Sequence, residues 1–225
     1  MIDLLHSPFL GASSWLPVSQ ALREAGAECQ VIDLRDAVRN STGYYTLLSE
    51  VAAAQLTPGA VLAVHSAAGA LAPSIFASAS RKPQSVVFVD ALLPHPGRSW
   101  FETAPQSMRE AIVGAAQDGL APPWCALIPR LTLERLVPDD RLRASLEQDC
   151  PRLPLAHLRE IAPPLVIPSG VPAGYLQLSA GYDAEAKLAE GLGWPVLRRA
   201  GHHLWPLTHP RDVAAALIEL ASRIV

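Results

Sequence analysis

The chain alternates short apolar runs with longer amphipathic stretches. Residues 2–5 (IDLL) read as a first strand, and HSPFLGASS follows as a loop. Residues 15–25 (WLPVSQALREA) repeat apolar positions at helical spacing, and Gly26 closes them. Residues 28–34 (ECQVIDL) read as a second strand and 45–56 as a helix, after which Pro58-Gly59 turns the chain into 61–64 (VLAV). Residues 85–90 (SVVFVD) repeat the buried-strand pattern. Short apolar strands separated by helices predict an α/β fold: a mostly parallel sheet with helices on both faces and right-handed crossovers.

The pattern changes after the fourth strand. Between Pro94 and Pro164 there is no strand signal, only helical pieces at 106–117, 131–137, 140–150 and 155–161, broken by prolines. We read this stretch, about 94–163, as a helical lid inserted into one domain spanning 1–225. Asp139-Asp140, after Pro138, reads as a helix start and not as a metal site. The sheet resumes at 175–178 (YLQL) and 194–198, with helices at 184–192 and 211–224. No G-x-G-x-x-G follows a strand and no phosphate loop is present, so nothing supports nucleotide binding.

One hydroxyl stands at a corner of this pattern. In VLAVHSAAGA (61–70), Ser66 separates a buried strand from a helix of small residues. A serine on a sharp strand-to-helix turn is a nucleophile elbow: its oxygen is lifted off the sheet, and the first helix N–H groups face any negative charge formed beside it. The G-x-S-x-G form is altered. Val64 and Ala68 hold the glycine positions, and Gly69 comes one place late. A serine that only caps a βα turn is the simpler alternative.

Serine needs a base, and the base needs a third group to orient it. Both partners are expected on loops at the carboxyl edge of the sheet. Seven histidines are present, and three of them, His202, His203 and His209, share the loop AGHHLWPLTHP. His203 is preferred for its interval to Pro210, which opens the last helix. His202 stays open as an alternative, and His209 reads as structural. For the acid, Asp90 ends an otherwise apolar strand, where a carboxylate is costly to bury without a donor such as an imidazole N–H. Asp183, past YLQL, is the second candidate, though it also makes a good helix N-cap.

Composition narrows the class. At 225 residues the chain is long enough for a large core, and half of it is hydrophobic without a run that would span a membrane. It opens directly in a strand, with no signal-peptide pattern. A net charge of −3 with mixed signs argues against nucleic acid or an anionic membrane as partner. Cys29, Cys125 and Cys150 are odd in number and far apart, so we expect idle thiols and a reducing cytoplasm.

Taken in order, HSAAGAL, VVFVDALLPHPG, SAG and GHH resemble the thioesterase branch of the α/β-hydrolases, which releases acyl chains from polyketide and nonribosomal-peptide carriers. HSPFLGASSW and GHHLWPLTHP are similar to the plant-type esterase and hydroxynitrile lyase group. The likeness covers roughly 1–93 and 173–225 and not the lid. It implies an α/β-hydrolase fold, no cofactor, and an acid that ends the strand after the elbow helix in a D-x-x-x-P setting, as Asp90 does with Pro94. It also implies an oxyanion hole built from the Ala67 N–H and from the third residue of HSP. That residue is Pro8, which has no N–H. Phe9 N–H, the Ser7 hydroxyl or His6 must then substitute, or the enzyme is slow, or the chemistry departs from ordinary ester hydrolysis.

Trp100, Phe101, Trp124 and Trp205 suggest an aromatic-walled pocket that, with Ser7 and Pro8, binds substrate. Arg198 and Arg199 are surface charges, or contacts for a carrier. Three hypotheses follow. The first is a serine hydrolase acting on an ester or thioester of a hydrophobic acyl group, free or carrier-bound. The second is a lyase or cyclase using the same Ser/His pair without an acyl-enzyme. The third is a noncatalytic binder of small molecules.

Overall fold

In the computed structural model, which describes residues 1–40 and 43–224, six strands form one sheet in the order β2-β1-β3-β4-β5-β6. They are β1 (Ile2–Leu5), β2 (Cys29–Ile32), β3 (Val61–His65), β4 (Ser85–Val89), β5 (Ala173–Gln177) and β6 (Val196–Arg198). Every neighbouring pair is parallel. The strands read as unbroken apolar runs because both faces are covered. Successive side chains point to opposite faces, so Leu62, Val64, Val86 and Phe88 enter one core layer while Val61, Ala63, Val87 and Val89 enter the other.

The second layer lies under α1 (Leu16–Glu24) and α12 (Pro210–Ile224), where Val18, Leu22, Val213 and Leu217 are buried. The first lies under α3 (Tyr44–Gln55) and α4 (Ala72–Ser78). The helix expected directly after Ser66 begins instead as a 3₁₀ turn, Ser66–Leu71, before α4. A short helix α2 (Arg35–Asn40), not anticipated from the pattern, follows β2.

Between β4 and β5 lie only helices among the described residues: α5 (Trp100–Thr103), α6 (Gln106–Gly114), α7 (Arg130–Leu136), α8 (Asp140–Asp149) and α9 (Leu155–Arg159). The two ends of this insertion are joined, with Gly97 N–H donating to Ala162 O and Ala162 N–H to Arg98 O, both at 3.0 Å. Asp139 caps α8 by accepting from the N–H groups of Arg141 and Leu142, as a helix start requires. At the far end of α8, Asp149 accepts from Ser13 N–H at 2.8 Å and pairs with Arg35 at 3.1 Å, which braces the loop after β1.

One expectation is overturned. Cys125 and Cys150 form a disulfide across 25 residues, and Cys29 is the free, buried thiol among the described residues. Cys125 lies in the 3₁₀ turn Trp124–Leu127 and Cys150 caps the end of α8, and their burial in one cluster with Leu133 and Leu146 brings the two sulfurs together, a contact that sequence spacing does not encode. The premise for a reducing compartment, that the thiols are unpaired, falls with it. No helix among the described residues is long and apolar enough to cross a membrane.

Candidate active site

The chain reverses its direction across the sheet between β1 and β3, the place where open α/β sheets bind ligands beyond the strand ends. The loop after β1, the turn after β3, the end of β4 and the loops after β5 and β6 converge there.

Ser66 adopts φ +59° and Asp90 φ +43°. Both lie in the left-handed region that costs a side-chain-bearing residue about 1–3 kcal/mol. Asp118, in a turn before Gly119, is the third such residue among those described. The Ser66 turn is held by Leu92 N–H donating to Ser66 O at 3.0 Å. That contact also explains the late glycine: a Cβ on Gly69 would stand 2.0 Å from Leu92 O. The close approach of helix and strand falls at residue 69 and not at Val64, which is buried in the first core layer.

From this corner a continuous set of hydrogen bonds runs inward. His203 Nε2 lies 3.0 Å from Ser66 Oγ, and His203 Nδ1 lies 2.8 Å from Asp90 Oδ2. Asp90 is fully buried. Its Oδ1 accepts from Leu178 N–H at 2.8 Å and Ser179 N–H at 2.9 Å, and its Oδ2 accepts from the Ser179 hydroxyl at 2.6 Å. Burial by itself would raise this carboxyl, but the hydrogen bonds from His203, Ser179 and Leu178 outweigh it and hold Asp90 below the usual carboxylate range. An ionised Asp90 takes Nδ1–H and leaves the Nε2 lone pair for the serine proton.

The alternative acid is not in this set. Asp183 opens α10 (Asp183–Gly191) and accepts from the Gln177 side-chain amide. It does not cap the helix, since Tyr182 holds that position without a side-chain cap. His202 accepts from Leu204 N–H at 3.2 Å, and His209 stacks at 4.6 Å on Trp205, which opens α11 (Trp205–Thr208).

Two residues that the sequence did not single out frame His203. The ring of His65 stacks on it at 4.6 Å, and His65 Nε2–H donates to the His203 carbonyl at 3.1 Å. Burial holds the His65 imidazole down at about 3, so it stays neutral beside its partner. Tyr182 stacks on the same imidazole at 5.1 Å and 12°, with its hydroxyl 3.4 Å from Ser66 Oγ. Burial pushes that phenol upward, so it remains a donor. The x of x-S-x and an aromatic after SAG were the available signals, but neither is distinctive without the fold.

The donors for an oxyanion are fewer than usual. Ala67 N–H sits at the start of the 3₁₀ turn, where N–H groups lack intrahelical partners. Phe9 N–H donates to Ser7 Oγ at 3.3 Å. His6 is spent on the backbone: Leu34 N–H donates to its Nε2 at 3.0 Å, and its Nδ1 lies 2.8 Å from Ser7 O.

A cavity of about 440 Å³ opens over Ser66. Ser7, Phe9, Trp100 and Trp124 line it, and Trp124 meets the His203 ring edge-on at 5.9 Å. Pro8 and Trp205 are not among its lining residues. The Trp205 indole packs against Gly201, where a Cβ would stand 2.2 Å from the ring, and belongs to the α1/α12 layer. Phe101 is buried among the insertion's core residues. Arg198 and Arg199 pair with Glu190 and Glu219 on the helices and also do not line the cavity. No metal-binding cluster occurs among the described residues.

No family profile matches the chain, and no curated protein matches it significantly. Solved structures do. An extracellular α/β-hydrolase from a Paenibacillus species, described as sharing homology with tobacco Salicylic Acid Binding Protein 2, is 17% identical, covers 97% of this chain and 98% of its own, and superposes with a TM-score of 0.78. Tomato Methylketone Synthase I, as an H243A variant complexed with β-ketoheptanoate, is 17% identical over 100% and 98% of the two chains, with a TM-score of 0.75. A methylesterase from Arabidopsis is 15% identical over 99% of each, with a TM-score of 0.68. The chain therefore has the α/β-hydrolase fold.

Proposed function

We propose that the chain is a serine hydrolase that cleaves an ester or thioester of a hydrophobic acyl substrate. Ser66 attacks the carbonyl carbon. His203 Nε2 takes the serine proton and returns it to the leaving group, and Asp90 orients and stabilises the imidazole as it becomes charged. Ala67 N–H donates to the oxygen on which negative charge develops. Water then repeats the sequence on the acyl-Ser66 ester, releasing the acid. The observation that carries this reading is the unbroken series Ser66 Oγ, His203 Nε2, His203 Nδ1 and Asp90 Oδ2, with spacings of 3.0 and 2.8 Å. The names of the esterases and hydrolases sharing the fold support the reaction class. The cavity wall supports an apolar acyl group. It carries no lysine or arginine for the phosphate of a carrier arm, which favours a free ester over a carrier-bound one.

A lyase reading has its own support. With Pro8 lacking an N–H and Phe9 N–H donating to Ser7 Oγ, the oxyanion hole lacks a free second backbone donor, a loss that costs on the order of 10²–10³ in acyl transfer. Proton transfer by Ser66 and His203 without an acyl-enzyme avoids that penalty. Tomato Methylketone Synthase I shows that the fold accepts a β-keto acid as a bound ligand. Rapid-quench turnover of p-nitrophenyl butyrate decides between them. Hydrolysis predicts a stoichiometric burst of nitrophenol with acyl-Ser66, lost in Ser66→Ala. The absence of both burst and adduct in an enzyme that turns over another substrate favours the lyase.

A further inference from the structure

The cavity over Ser66 has an asymmetric charge. Its wall is largely aromatic and aliphatic, yet it includes one carboxylate, Glu185, and no lysine or arginine. Glu185 is half-buried. Among the described residues no Lys, Arg or His lies within ion-pair distance of it, and its hydrogen bond is to its own backbone N–H. Other sequestered acids here are satisfied. Asp3 accepts from Gln30 and from Thr57 N–H, Asp149 from Ser13 N–H and Arg35, and Glu160 from the N–H groups of Tyr44 and Tyr45.

A desolvated carboxylate without a partner is costly. Burial, and secondarily the negative charge of Asp90, raise the Glu185 carboxyl, as expected for a group short of positive charge. The N-terminus of α10 favours an acidic residue in its first turn. That accounts for the charge but not for its place on an apolar wall. Tyr182 and Trp124 line the same cavity and both contact the His203 ring, so aromatic surface lies beside the reacting serine. A carboxylate with aromatic faces is the chemistry that recognises an organic ammonium, through ion pairing and the negative faces of the rings. An anionic substrate would meet repulsion with no compensating cation.

We propose that this cavity selects esters bearing a protonated or quaternary amine and that Glu185 is their counter-charge, an inference that rests on the ester-hydrolase reading above. The test compares choline butyrate with its neutral isostere, 3,3-dimethylbutyl butyrate. The wild-type protein should prefer the cation by about tenfold or more in kcat/KM, mainly through KM, and Glu185→Gln should bring the ratio to within about threefold of one. A ratio near one in the wild type, or a preference that survives Glu185→Gln, overturns the proposal.

Calorimetry on the Ser66→Ala protein, with choline against 3,3-dimethylbutan-1-ol, reads the same selectivity without turnover. Glu185-dependent choline binding in a protein that hydrolyses neither ester supports the cation subsite and rejects the ester-hydrolase reading. Hydrolysis of both esters at equal efficiency, with no choline binding, rejects the subsite and keeps the hydrolase.

Discussion

Ser66, Asp90 and His203 leave the carboxyl ends of β3, β4 and β6 of one parallel sheet, whereas Trp100 and Trp124 come from an insertion that has no strand of its own. The two regions are ordered by different forces. In the sheet, register between neighbouring strands places the functional groups, and left-handed turns at Ser66 and Asp90 aim them. In the insertion, helices of four to ten residues are too short to be stable alone. They are held by point attachments instead: the Cys125–Cys150 disulfide, Asp149 on Ser13 and Arg35, and Glu160 on the N-terminus of α3. Under the proposed mechanism the reacting atoms stand on the sheet, and the insertion supplies part of the cavity wall, where variation is tolerated.

That contrast breaks first at the acid. Asp90→Asn leaves the Nδ1 proton without its acceptor and should lower kcat by roughly 10²–10⁴, while Asp183→Asn, whose side chain accepts from Gln177 and not from His203, should stay within about threefold of wild type. Steady-state turnover of an activated ester measures both. A crippled Asp183→Asn beside an active Asp90→Asn reverses the assignment.

The insertion gives an effect on stability in place of chemistry. Replacing Cys125 and Cys150 together by serine opens a crosslinked loop of 25 residues and should destabilise the protein by about 3 kcal/mol. KM should rise while kcat stays within a few-fold, because Trp124, which lines the cavity, directly precedes Cys125, whereas the Ser66–His203–Asp90 hydrogen bonds involve no residue of the insertion. Urea titration and Michaelis kinetics read the two effects. An equal loss in kcat would mean that the insertion positions the reacting atoms as well.

The smallest expected effect on activity is that of His65, whose contribution is to the pH dependence of stability. Its folded-state value near 3 lies below the unfolded value of about 6.5. The unfolded chain therefore binds the extra proton between these values, and stability falls as pH drops from 6.5 toward 3. His65→Gln should flatten the slope of the urea midpoint across that window, with kcat reduced only several-fold. An unchanged slope would show that His65 is not the group being titrated.

The same contrast explains what the sequence discloses. β3 and β4 are legible because fully buried parallel strands must be continuously apolar. Against that background, a lone serine after VLAVH and a lone aspartate after SVVFV stand out. His203 is legible as a loop histidine with a fixed interval to Pro210. The late glycine becomes intelligible only once Leu92 O is seen against Gly69. Tyr182 and Glu185 stay hidden because an aromatic before a helix and an acid in its first turn are ordinary surface choices. Their meaning comes from the cavity they line together with Trp100 and Trp124 of the insertion. The cysteine pair is illegible for a similar reason, since it depends on how the turn Trp124–Leu127 packs beside the end of α8. Trp205 misleads because an aromatic beside a candidate base looks like a pocket wall. Contact with Gly201 and His209 turns it toward the α1/α12 layer instead.

The central claim is that Ser66 is made nucleophilic by His203. Labelling with a fluorophosphonate, followed by peptide mass spectrometry, tests it most directly. The account predicts one equivalent of phosphonate on Ser66 in the wild-type protein, and labelling slowed by several orders of magnitude in a folded His203→Ala variant. Labelling of a different residue, or a Ser66 that reacts equally fast without His203, would contradict it.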